Sequence, residues 1–425
     1  MLLKFVLSNY RSFKESVILD MEACSIKEYS NNVFCSKHGS QPINVLKSIV
    51  LMGANSSGKT NLFKGFELMR YIVINSAKET EFTKNYTIEP FLLSTETENE
   101  PSLFECTVIV EGITYRYGFK ANNKEIQSEW LYMILKRREE PIFLRNKIEF
   151  EIVKRFSTEY KNKLNLLTEL TRKDALFLSV LSNFNIEFAV QISKWFAHNT
   201  IYTEKNLEEA IDFTARMFAD PVYKSHLEEI VDKSDLGFTT IERLKNRSDR
   251  IYAGVKIYEQ DNDHSKSEIR VSHPKFDSRN RKIKDISLEL SKMESSGSQK
   301  FLALLGPMVK VLVDGGLFWI DDFDAKIHPY IISMIMDLFN SEIYNLKGAQ
   351  IVAISYNQQI LKKLRRDQIV FLNKDLYGAS TLSALYVFNP QVRSNALFDK
   401  EYLQGSYGGV PKINGVQNSF KEKIN

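Results

Sequence analysis

The sequence has few cysteines, few histidines and no long apolar run, and each shortage excludes a class of protein. Its three cysteines, Cys24, Cys35 and Cys106, are too few and too scattered for a disulfide framework or a zinc site, and its six histidines show no pairing at metal-ligand spacing. No stretch reaches the roughly 18 uninterrupted apolar residues of a membrane span. The first residues become polar too soon for a signal peptide. We therefore expect a cytoplasmic protein with buried free thiols and no membrane partner.

The sequence also lacks a large excess of charge of one sign, and it has no internal repeats. The chain has 57 Lys and Arg against 53 Asp and Glu, a net charge of +4 that by itself predicts no polyanionic partner. No heptad is sustained over several repeats, which excludes a long coiled-coil arm. Hydrophobic residues make up 43% and charged residues 26% of the 425, as is typical of a folded globular protein longer than one average domain.

Apolar patterns predict α/β structure at both ends of the chain. Residues 45–52 form a short apolar run typical of a buried strand, and residues 61–73 have helical spacing. Residues 102–133 alternate as in a β-hairpin. Near the C-terminus we predict helices at 301–313 and 330–339 and strands at 317–320 and 350–354. Such alternation indicates a parallel sheet, which we expect both ends of the chain to share.

The middle of the chain has a different pattern. Residues from about 134 to 245 look mainly helical, most clearly at 174–195, and residues 250–285 start strand-like and become polar and basic. We therefore predict three regions: an N-terminal lobe with a β subdomain (1–133), a mainly helical insert (134–285) and a C-terminal lobe (286–425).

One motif carries specific chemistry. The segment Gly53-Ala54-Asn55-Ser56-Ser57-Gly58-Lys59-Thr60 matches the P-loop pattern G-x-x-x-x-G-K-[ST], between a predicted strand and a predicted helix. In such a loop the backbone amides cradle phosphates, Lys59 reaches the β- and γ-phosphates and the Thr60 hydroxyl can ligate Mg²⁺. The alternative is a chance Gly and Ser turn. The match and its context predict a nucleotide site.

A second apolar strand ends on two carboxylates. Asp321 and Asp322 follow Leu317-Phe318-Trp319-Ile320, and ligands bind at such strand ends in open α/β sheets. Asp321 is the candidate Walker B carboxylate on Mg²⁺, and Asp322 is the candidate activator of the attacking water. Lys59 and Asp321 are too far apart in the chain for a compact GTPase-like core. The spacing favours an ATPase whose sheet is interrupted by an insertion.

Several further segments resemble known families. Ser295-Ser296-Gly297-Ser298-Gln299 resembles a variant ABC signature, and residues 321–329 resemble Walker B followed by a D-loop. Asn9-Tyr10-Arg11-Ser12-Phe13 resembles the first-strand motif of RecF, SMC and OLD-like proteins. Residues 294–299, 367–371 and 402–411 are similar to AAA-type ATP-binding proteins of bacterial abortive-infection and anti-phage operons.

The resemblance implies a fold, a site and partners. The fold would be an ABC-type P-loop NTPase head, α/β, with a mixed sheet, flanking helices, an antiparallel β subdomain and a helical insertion. Two copies would form a homodimer or higher oligomer that sandwiches ATP and Mg²⁺, and the chain would control a separately encoded effector, a nuclease or toxin. Thr60 and Asp321 would hold the metal. The implied nucleotide-binding residues are Gly53, Ala54, Asn55, Ser56, Ser57, Gly58, Lys59, Thr60, Asn61, Ser296, Gly297, Ser298 and Gln299.

Two candidate catalytic positions depart from the family pattern. Asp322 stands where relatives usually have Glu, so its carboxylate is withdrawn by about one methylene, a displacement that can cost about a hundredfold in rate. Tyr356 stands where relatives often have a His that contacts the γ-phosphate, and a phenol is a poor general base at neutral pH. We therefore expect intact ATP binding and slow or absent hydrolysis.

Other readings stay open. A RecF-like DNA-repair ATPase and a pseudo-ATPase antitoxin are the rival functions. Basic clusters at 136–138, 279–284 and 362–366 are typical of solvated faces, with DNA backbone binding as the alternative. The Ser296-Gly297-Ser298 turn is alternatively a plain helix N-cap. Arg11 is a candidate neighbour of the nucleotide, and Gln127 is a candidate Q-loop residue.

Overall fold

The computed structural model describes residues 1–36, 42–79, 85–135, 138–153, 157–234, 236–238, 240–244, 268–388 and 397–410. Its strands are β1 (Leu2–Ser8), β2 (Val17–Asp20), β3 (Val33–Ser36), β4 (Ile43–Leu46), β5 (Ser48–Met52), β6 (Ser102–Val110), β7 (Ile113–Ala121), β8 (Ile126–Leu135), β9 (Arg138–Asn146), β10 (Glu149–Ile152), β11 (Thr200–Tyr202), β12 (Thr240–Leu244), β13 (Glu268–Phe276), β14 (Lys282–Glu289), β15 (Leu317–Ile320), β16 (Gln350–Ile354), β17 (Ile369–Lys374) and β18 (Ser380–Ala384).

Eleven α-helices accompany these strands in the described ranges. They are α1 (Lys59–Asn75), α2 (Thr158–Glu169), α3 (Phe177–Asn183), α4 (Glu187–His198), α5 (Leu207–Met217), α6 (Pro221–Lys233), α7 (Leu290–Met293), α8 (Ser296–Asp314), α9 (Pro329–Asn340), α10 (Leu385–Phe388) and α11 (Phe398–Leu403).

The central sheet joins the two ends of the chain. Its order is β11-β15-β16-β5-β17-β18, with every pair parallel except β17 and β18. Strand β5 of the N-terminal part lies between β16 and β17 of the C-terminal part, which confirms the predicted shared sheet. Strands β5, β15 and β16 are buried at every position, as their apolar runs predict. The predicted run 45–52 is divided, because β4 pairs with β3 in a separate two-stranded sheet.

A second, antiparallel sheet packs on the other side of α1. Its order is β10-β9-β8-β7-β6-β1-β2, so the predicted hairpin of 102–133 is confirmed as part of a larger sheet. Ring contacts mark the layers: the Phe66 ring of α1 lies 5.5 Å from that of Phe5 in β1 and 4.5 Å from that of Trp319 in β15. The P-loop helix is therefore held between a mainly parallel and an antiparallel sheet, which agrees with the predicted mixed α/β architecture.

The segment after residue 133 differs from the predicted helical pattern. The predicted boundary falls inside β8, and β9 and β10 extend the antiparallel sheet to Ile152. The helical run predicted for 174–195 is two helices, because Asn185 between them has a φ of 56°. Strand β11 pairs with β15 in the central sheet. The segment thus contributes to both sheets, although α2 to α6 are helical as expected.

The remaining predictions concern cysteines, membranes and the end of the middle segment. Cys106 is buried, as expected for a free thiol, but Cys24 is half-buried and Cys35 is exposed, so the expectation of burial is wrong for Cys35. No helix in the described ranges is long and apolar enough to cross a membrane. The strand-like run predicted at the start of segment 250–285, residues 251–257, lies outside the described residues. Strand β12 before that run and strands β13 and β14 after it form a three-stranded antiparallel sheet, and β14 leads into α7 and α8.

Candidate nucleotide-binding site

The P-loop joins β5 to α1 in a conformation that requires its glycines. Gly58, the N-cap of α1, has a φ of 108°. A Cβ atom there would lie 2.5 Å from Ser380 Oγ and 2.9 Å from Ser12 Oγ. A Cβ at Gly53 would lie 2.5 Å from the carbonyl oxygen of Leu372. Both approaches are too close for any side chain, so these two positions keep the loop tight against its neighbours.

Lys59 lies folded into its own loop. Its Nζ donates hydrogen bonds to the carbonyl oxygens of Gly53 at 2.7 Å and Ala54 at 2.8 Å, and the residue is only 4% exposed. Burial lowers the pKa of Lys59 to about 8, although the negative charges of Asp321 and Asp322 act in the opposite direction. The ammonium is thus partly desolvated before any ligand is bound.

The two predicted metal ligands meet in the structure. Asp321 directly follows β15 and is almost fully buried, and Thr60 lies in the first turn of α1. Burial and the charge of Asp322 raise the pKa of Asp321, whereas a hydrogen bond from the Thr60 side chain lowers it. A hydroxyl beside a carboxylate is the pair that holds Mg²⁺ in P-loop NTPases. The structure therefore places both side chains where one cation can contact them together.

Asp322 has an unusual backbone conformation. Its φ is 50°, in the left-handed region, and its side chain is exposed next to Asp321. Its N–H donates to Asp321 Oδ1 at 2.9 Å. Its carbonyl oxygen accepts a hydrogen bond from Lys300 Nζ on α8. The hydrogen bonds to Asp321 and from Lys300 together fix the turn that carries the candidate activating carboxylate.

Tyr356 covers the P-loop lysine. The Nζ of Lys59 lies 4.5 Å from the centroid of the Tyr356 ring, in cation–π geometry. The N–H of Tyr356 donates to Asp324 Oδ2 at 2.9 Å, which ties it to the predicted D-loop. Burial and the three nearby carboxylates raise the pKa of Tyr356 above its usual value of 10. Its phenol is therefore protonated at neutral pH and can donate a hydrogen bond but not act as a base.

The signature turn is built as a helix start. Ser295 caps α8, with its Oγ accepting from the Ser298 N–H at 3.1 Å, and the Gln299 amide donates to the Glu294 carbonyl oxygen at 2.9 Å. A Cβ at Gly297 would lie 2.5 Å from the carbonyl oxygen of Lys326, so the D-loop requires glycine there. In the described part of the chain, no hydrogen bond joins residues 296–299 to the P-loop. Among the described residues of one copy, hydrogen bonding thus does not join these two predicted halves of the site.

Other predicted loop residues have distinct surroundings. Asn55 and Ser56 are exposed, and Ser56 has a φ of 64°. The Asn61 amide is occupied in a 2.9 Å hydrogen bond to Ser12 Oγ. Ser57 is 3% exposed, and its Oγ has no hydrogen-bond partner among the described residues. An unsatisfied buried hydroxyl at the loop fits a site completed by a ligand.

Two residues beside the loop were not predicted. Ser12 and Ser380 both approach Gly58, and the Ser380 N–H donates to the Ser12 carbonyl oxygen at 2.6 Å. The Oγ of Ser380 is buried without a partner in the described ranges. Ser12 lies within the 9–13 motif, so the resemblance could have identified it. No local pattern marks Ser380, because it comes from the other end of the chain.

The C-terminal motif packs on the P-loop. A Cβ at Gly409 would lie 3.3 Å from the Cα of Gly53, and the Tyr402 hydroxyl donates to the Gly409 carbonyl oxygen at 3.0 Å. The Phe371 ring stacks on the rings of Tyr402 and Tyr407. The motif therefore supports the loop from behind. Its last residue, Pro411, lies outside the described residues.

The two weaker candidates have other partners. Arg11 has a φ of 50°, and its guanidinium pairs with the Glu89 carboxylate at 3.1 Å. Gln127 lies in β8, where its amide donates to the Glu125 carboxylate at 3.0 Å. Neither side chain forms a described contact with the P-loop.

Comparison with known proteins found one matching family model and several similar solved structures. Residues 48–196 match the family model described as "AAA domain, putative AbiEii toxin, Type IV TA system". Among solved structures, the chain is similar to the SMC head domain from Thermotoga maritima (13% identity, TM-score 0.42) and to a SmcHead bound to the C-winged helix domain of ScpA (12% identity, TM-score 0.49). Each alignment covers 90% of this chain and 98% of the other. No curated protein sequence matches the chain.

Proposed function

We propose that this chain binds ATP with Mg²⁺ and uses the nucleotide to hold an assembly together. One observation carries the proposal: the buried ammonium of Lys59 and the contacting pair Thr60 and Asp321 converge at the C-terminal edge of the central sheet. A cation donor for phosphates beside an oxygen pair for a metal is the chemistry that a metal–nucleotide complex requires.

The residues present fit such a ligand. The two glycines lie where a Cβ would clash, so the loop can present its backbone amides to phosphate, and the buried Ser57 hydroxyl still lacks a partner in the described ranges. Lys59 would exchange the carbonyl oxygens of Gly53 and Ala54 for phosphate oxygens. Thr60 and Asp321 would hold Mg²⁺, which supplies charge neutralisation at the phosphates.

A second copy would complete the site. The N-terminus of α8 is exposed at Ser296 and half-buried at residues 297–299, and its hydrogen bonds remain within its own turn. The amides at a helix start favour phosphate, so this surface suits a nucleotide held on the P-loop of a partner copy. The expected state is a homodimer, or a higher oligomer, with residues 53–61 of one copy facing 296–299 of the other.

Hydrolysis would be slow. Asp322 replaces a longer carboxylate, and Tyr356 offers a protonated phenol at the position where a base or a charge donor would act. Nucleotide would then serve mainly to hold the oligomer, which agrees with a sensor or scaffold in anti-phage defence that controls a separately encoded nuclease or toxin. The partial match to a toxin–antitoxin family model supports this cellular setting.

A second candidate function follows from the same match. Because the matched model describes a toxin of a toxin–antitoxin system, the chain is alternatively one half of such a pair, with the nucleotide site regulating the pairing. A RecF-like repair role remains the third reading, and DNA-stimulated hydrolysis would favour it. Expression of each gene alone and together separates the first two. The toxin reading predicts that this chain alone is toxic and that the neighbouring product neutralises it, whereas the first reading assigns the toxicity to the separately encoded effector.

Calorimetry and native mass test the proposal. Wild-type protein should bind ATP with Mg²⁺, and its native mass should increase to that of a dimer or larger oligomer, whereas Lys59→Ala should do neither. Phosphate release should stay well below about one per second, near the bottom of the usual range for enzymes. Unchanged ATP affinity in Lys59→Ala would refute the nucleotide site, and fast turnover would refute the slow-hydrolysis scaffold.

A further inference from the structure

A hairpin with concentrated positive charge leads into the signature helix. Strands β13 and β14 pair antiparallel, and residues 275–285 at their tip contain five basic residues and two carboxylates. Their net charge of +3 compares with +4 for all 425 residues. The basic residues are Lys275, Arg279, Arg281, Lys282 and Lys284.

One of the two carboxylates is used inside the turn. Asp277 accepts the N–H groups of Arg279 at 2.8 Å and Arg281 at 2.9 Å, and it pairs with the Arg281 guanidinium at 2.8 Å. These hydrogen bonds lower the pKa of Asp277, so it is ionised, but its charge is already satisfied by the turn. Asp277 therefore shapes the tip without neutralising the other cations.

Three of the five cations have no acidic partner among the described residues. Asp285 lies 2.9 Å from Lys282, whereas no carboxylate in the described ranges pairs with Lys275, Arg279 or Lys284. Lys275 and Lys284 are exposed and stand directly opposite each other across the two strands. Like charges in this arrangement destabilise a sheet. An anion that contacts both lysine side chains would reduce that repulsion.

The shape of the tip selects among polyanions. It is a two-stranded ribbon with Phe276 52% exposed and Ile283 59% exposed among the cations. The major groove of B-form DNA admits a two-stranded β-ribbon, whereas the deep, narrow groove of A-form RNA does not. We propose that the β13–β14 hairpin binds double-stranded DNA, with Lys275, Arg279 and Lys284 on backbone phosphates.

The hairpin is connected to the signature turn. His273 of β13 lies 2.7 Å from the Glu294 carboxylate through its Nε2, and the backbone oxygen of Glu294 accepts the Gln299 amide. Only the short helix α7 separates β14 from α8. DNA bound at the tip would thus be linked through α7 to α8, the helix that is proposed to face the nucleotide of a partner copy. DNA binding itself requires no nucleotide, and its test stands apart from that of ATP binding.

The experiment is fluorescence anisotropy with a short labelled duplex and no nucleotide. The test variant combines Lys275→Glu, Arg279→Glu and Lys284→Glu. The matched control combines Lys120→Glu, Lys124→Glu and Lys163→Glu, three exposed lysines on β7, the following turn and α2 with the same charge change. Circular dichroism and ATP binding by calorimetry check that both variants remain folded.

We expect wild-type protein to bind the duplex at about 50 mM salt and to lose affinity steeply by about 200 mM. The hairpin variant should lose at least about tenfold in affinity, and its plot of log affinity against log salt should be shallower by about three. The control should change by less than about threefold. Equal losses in both variants, no binding at low salt, or equal affinity for duplex RNA or an acidic polypeptide would overturn the proposal.

Discussion

The side chain of Lys300, in the first turns of the signature helix, donates a hydrogen bond to the backbone carbonyl oxygen of Asp322, after the Walker B strand. Lys300 is 2% exposed, and its Nζ lies 4.0 Å from the Glu204 carboxylate. Burial lowers the pKa of Lys300, while the Glu204 charge raises it. Because Asp322 has a left-handed backbone, this bond links the position of the candidate catalytic carboxylate to the helix that a partner copy would contact.

Lys300→Met should therefore destabilise the protein and slow any hydrolysis. A hydrogen bond from a charged donor is worth about 1.5–3 kcal/mol, so the free energy of unfolding in urea should fall by about that amount, although the Asp322 carbonyl oxygen keeps the Ala325 N–H at 3.2 Å. Lys310→Met on the same helix is the control, because Lys310 forms a half-exposed pair with Asp314 and should cost less than about 1 kcal/mol. Equal losses in the two variants would contradict a special role for Lys300.

Asp322→Glu should increase phosphate release. The added methylene extends the carboxylate by about 1 Å, and a misplacement of that size can cost about a hundredfold, so the rate should rise by up to that factor if geometry is limiting. Steady-state release is measured at saturating ATP and Mg²⁺. Asp322→Glu in a Lys59→Ala background is the control and should show no release. An unchanged rate in the single variant would mean that Tyr356, and not the length of the side chain at position 322, limits hydrolysis.

ATP affinity should depend on pH through Lys59. Its pKa is about 8 in the nucleotide-free protein, and a bound phosphate favours the protonated form, so the pKa is higher in the complex. Affinity should thus be constant below pH 8 and fall above it, by up to about tenfold per pH unit. Calorimetry between about pH 7 and 9 measures this. Lys59→Arg, which stays protonated, should give a flat profile, and a flat wild-type profile would contradict the prediction.

The parts of the site that were predicted are those encoded by short, local patterns. The glycines of the P-loop, the buried run Leu317–Ile320 and the spacing in α8 each depend on a few neighbouring residues, and each lies where predicted. Ser380 was missed because its place beside Gly58 depends on pairing between strands far apart in the sequence.

The structure of the middle of the chain was harder to predict, because it too depends on pairing between strands that are far apart in the sequence. Strand β11 has three residues, too few for a period of two to be visible, and it is a strand because β15 offers it a partner. Strands β8 and β9 extend a sheet already begun by β6 and β7, so their structure depends on an edge provided earlier in the chain. Asn185 ends a helix with a positive φ that apolar spacing does not encode.

Glu129 should be essential for stability although it lies away from the nucleotide site. It is fully buried in β8, where it accepts the N–H groups that start α3, of Phe177 at 2.7 Å and Leu178 at 2.9 Å, and lies 3.4 Å from buried Arg145. Glu129→Ala leaves Arg145 without its carboxylate and should cost about 3–5 kcal/mol in the free energy of unfolding.

Guanidinium denaturation measures the loss in Glu129→Ala. The matched control is Glu149→Ala on β10, where the side chain is exposed and the cost should stay within about 0.5 kcal/mol. A similar small loss at both positions would mean that the carboxylate does not hold α3 to the antiparallel sheet.

The Tyr356 ring, rather than its hydroxyl, should determine how far the pKa of Lys59 is lowered. The ring covers the ammonium at 4.5 Å, and burial is the largest cause of the lowered pKa of Lys59. Tyr356→Ala would admit water to Nζ, so the pH above which ATP affinity falls should move upward from about 8. Tyr356→Phe keeps the ring and should leave that pH unchanged. The same calorimetric pH series decides between them: if Tyr356→Phe behaves like Tyr356→Ala, the hydroxyl controls the lysine, and the ring does not act as its cover.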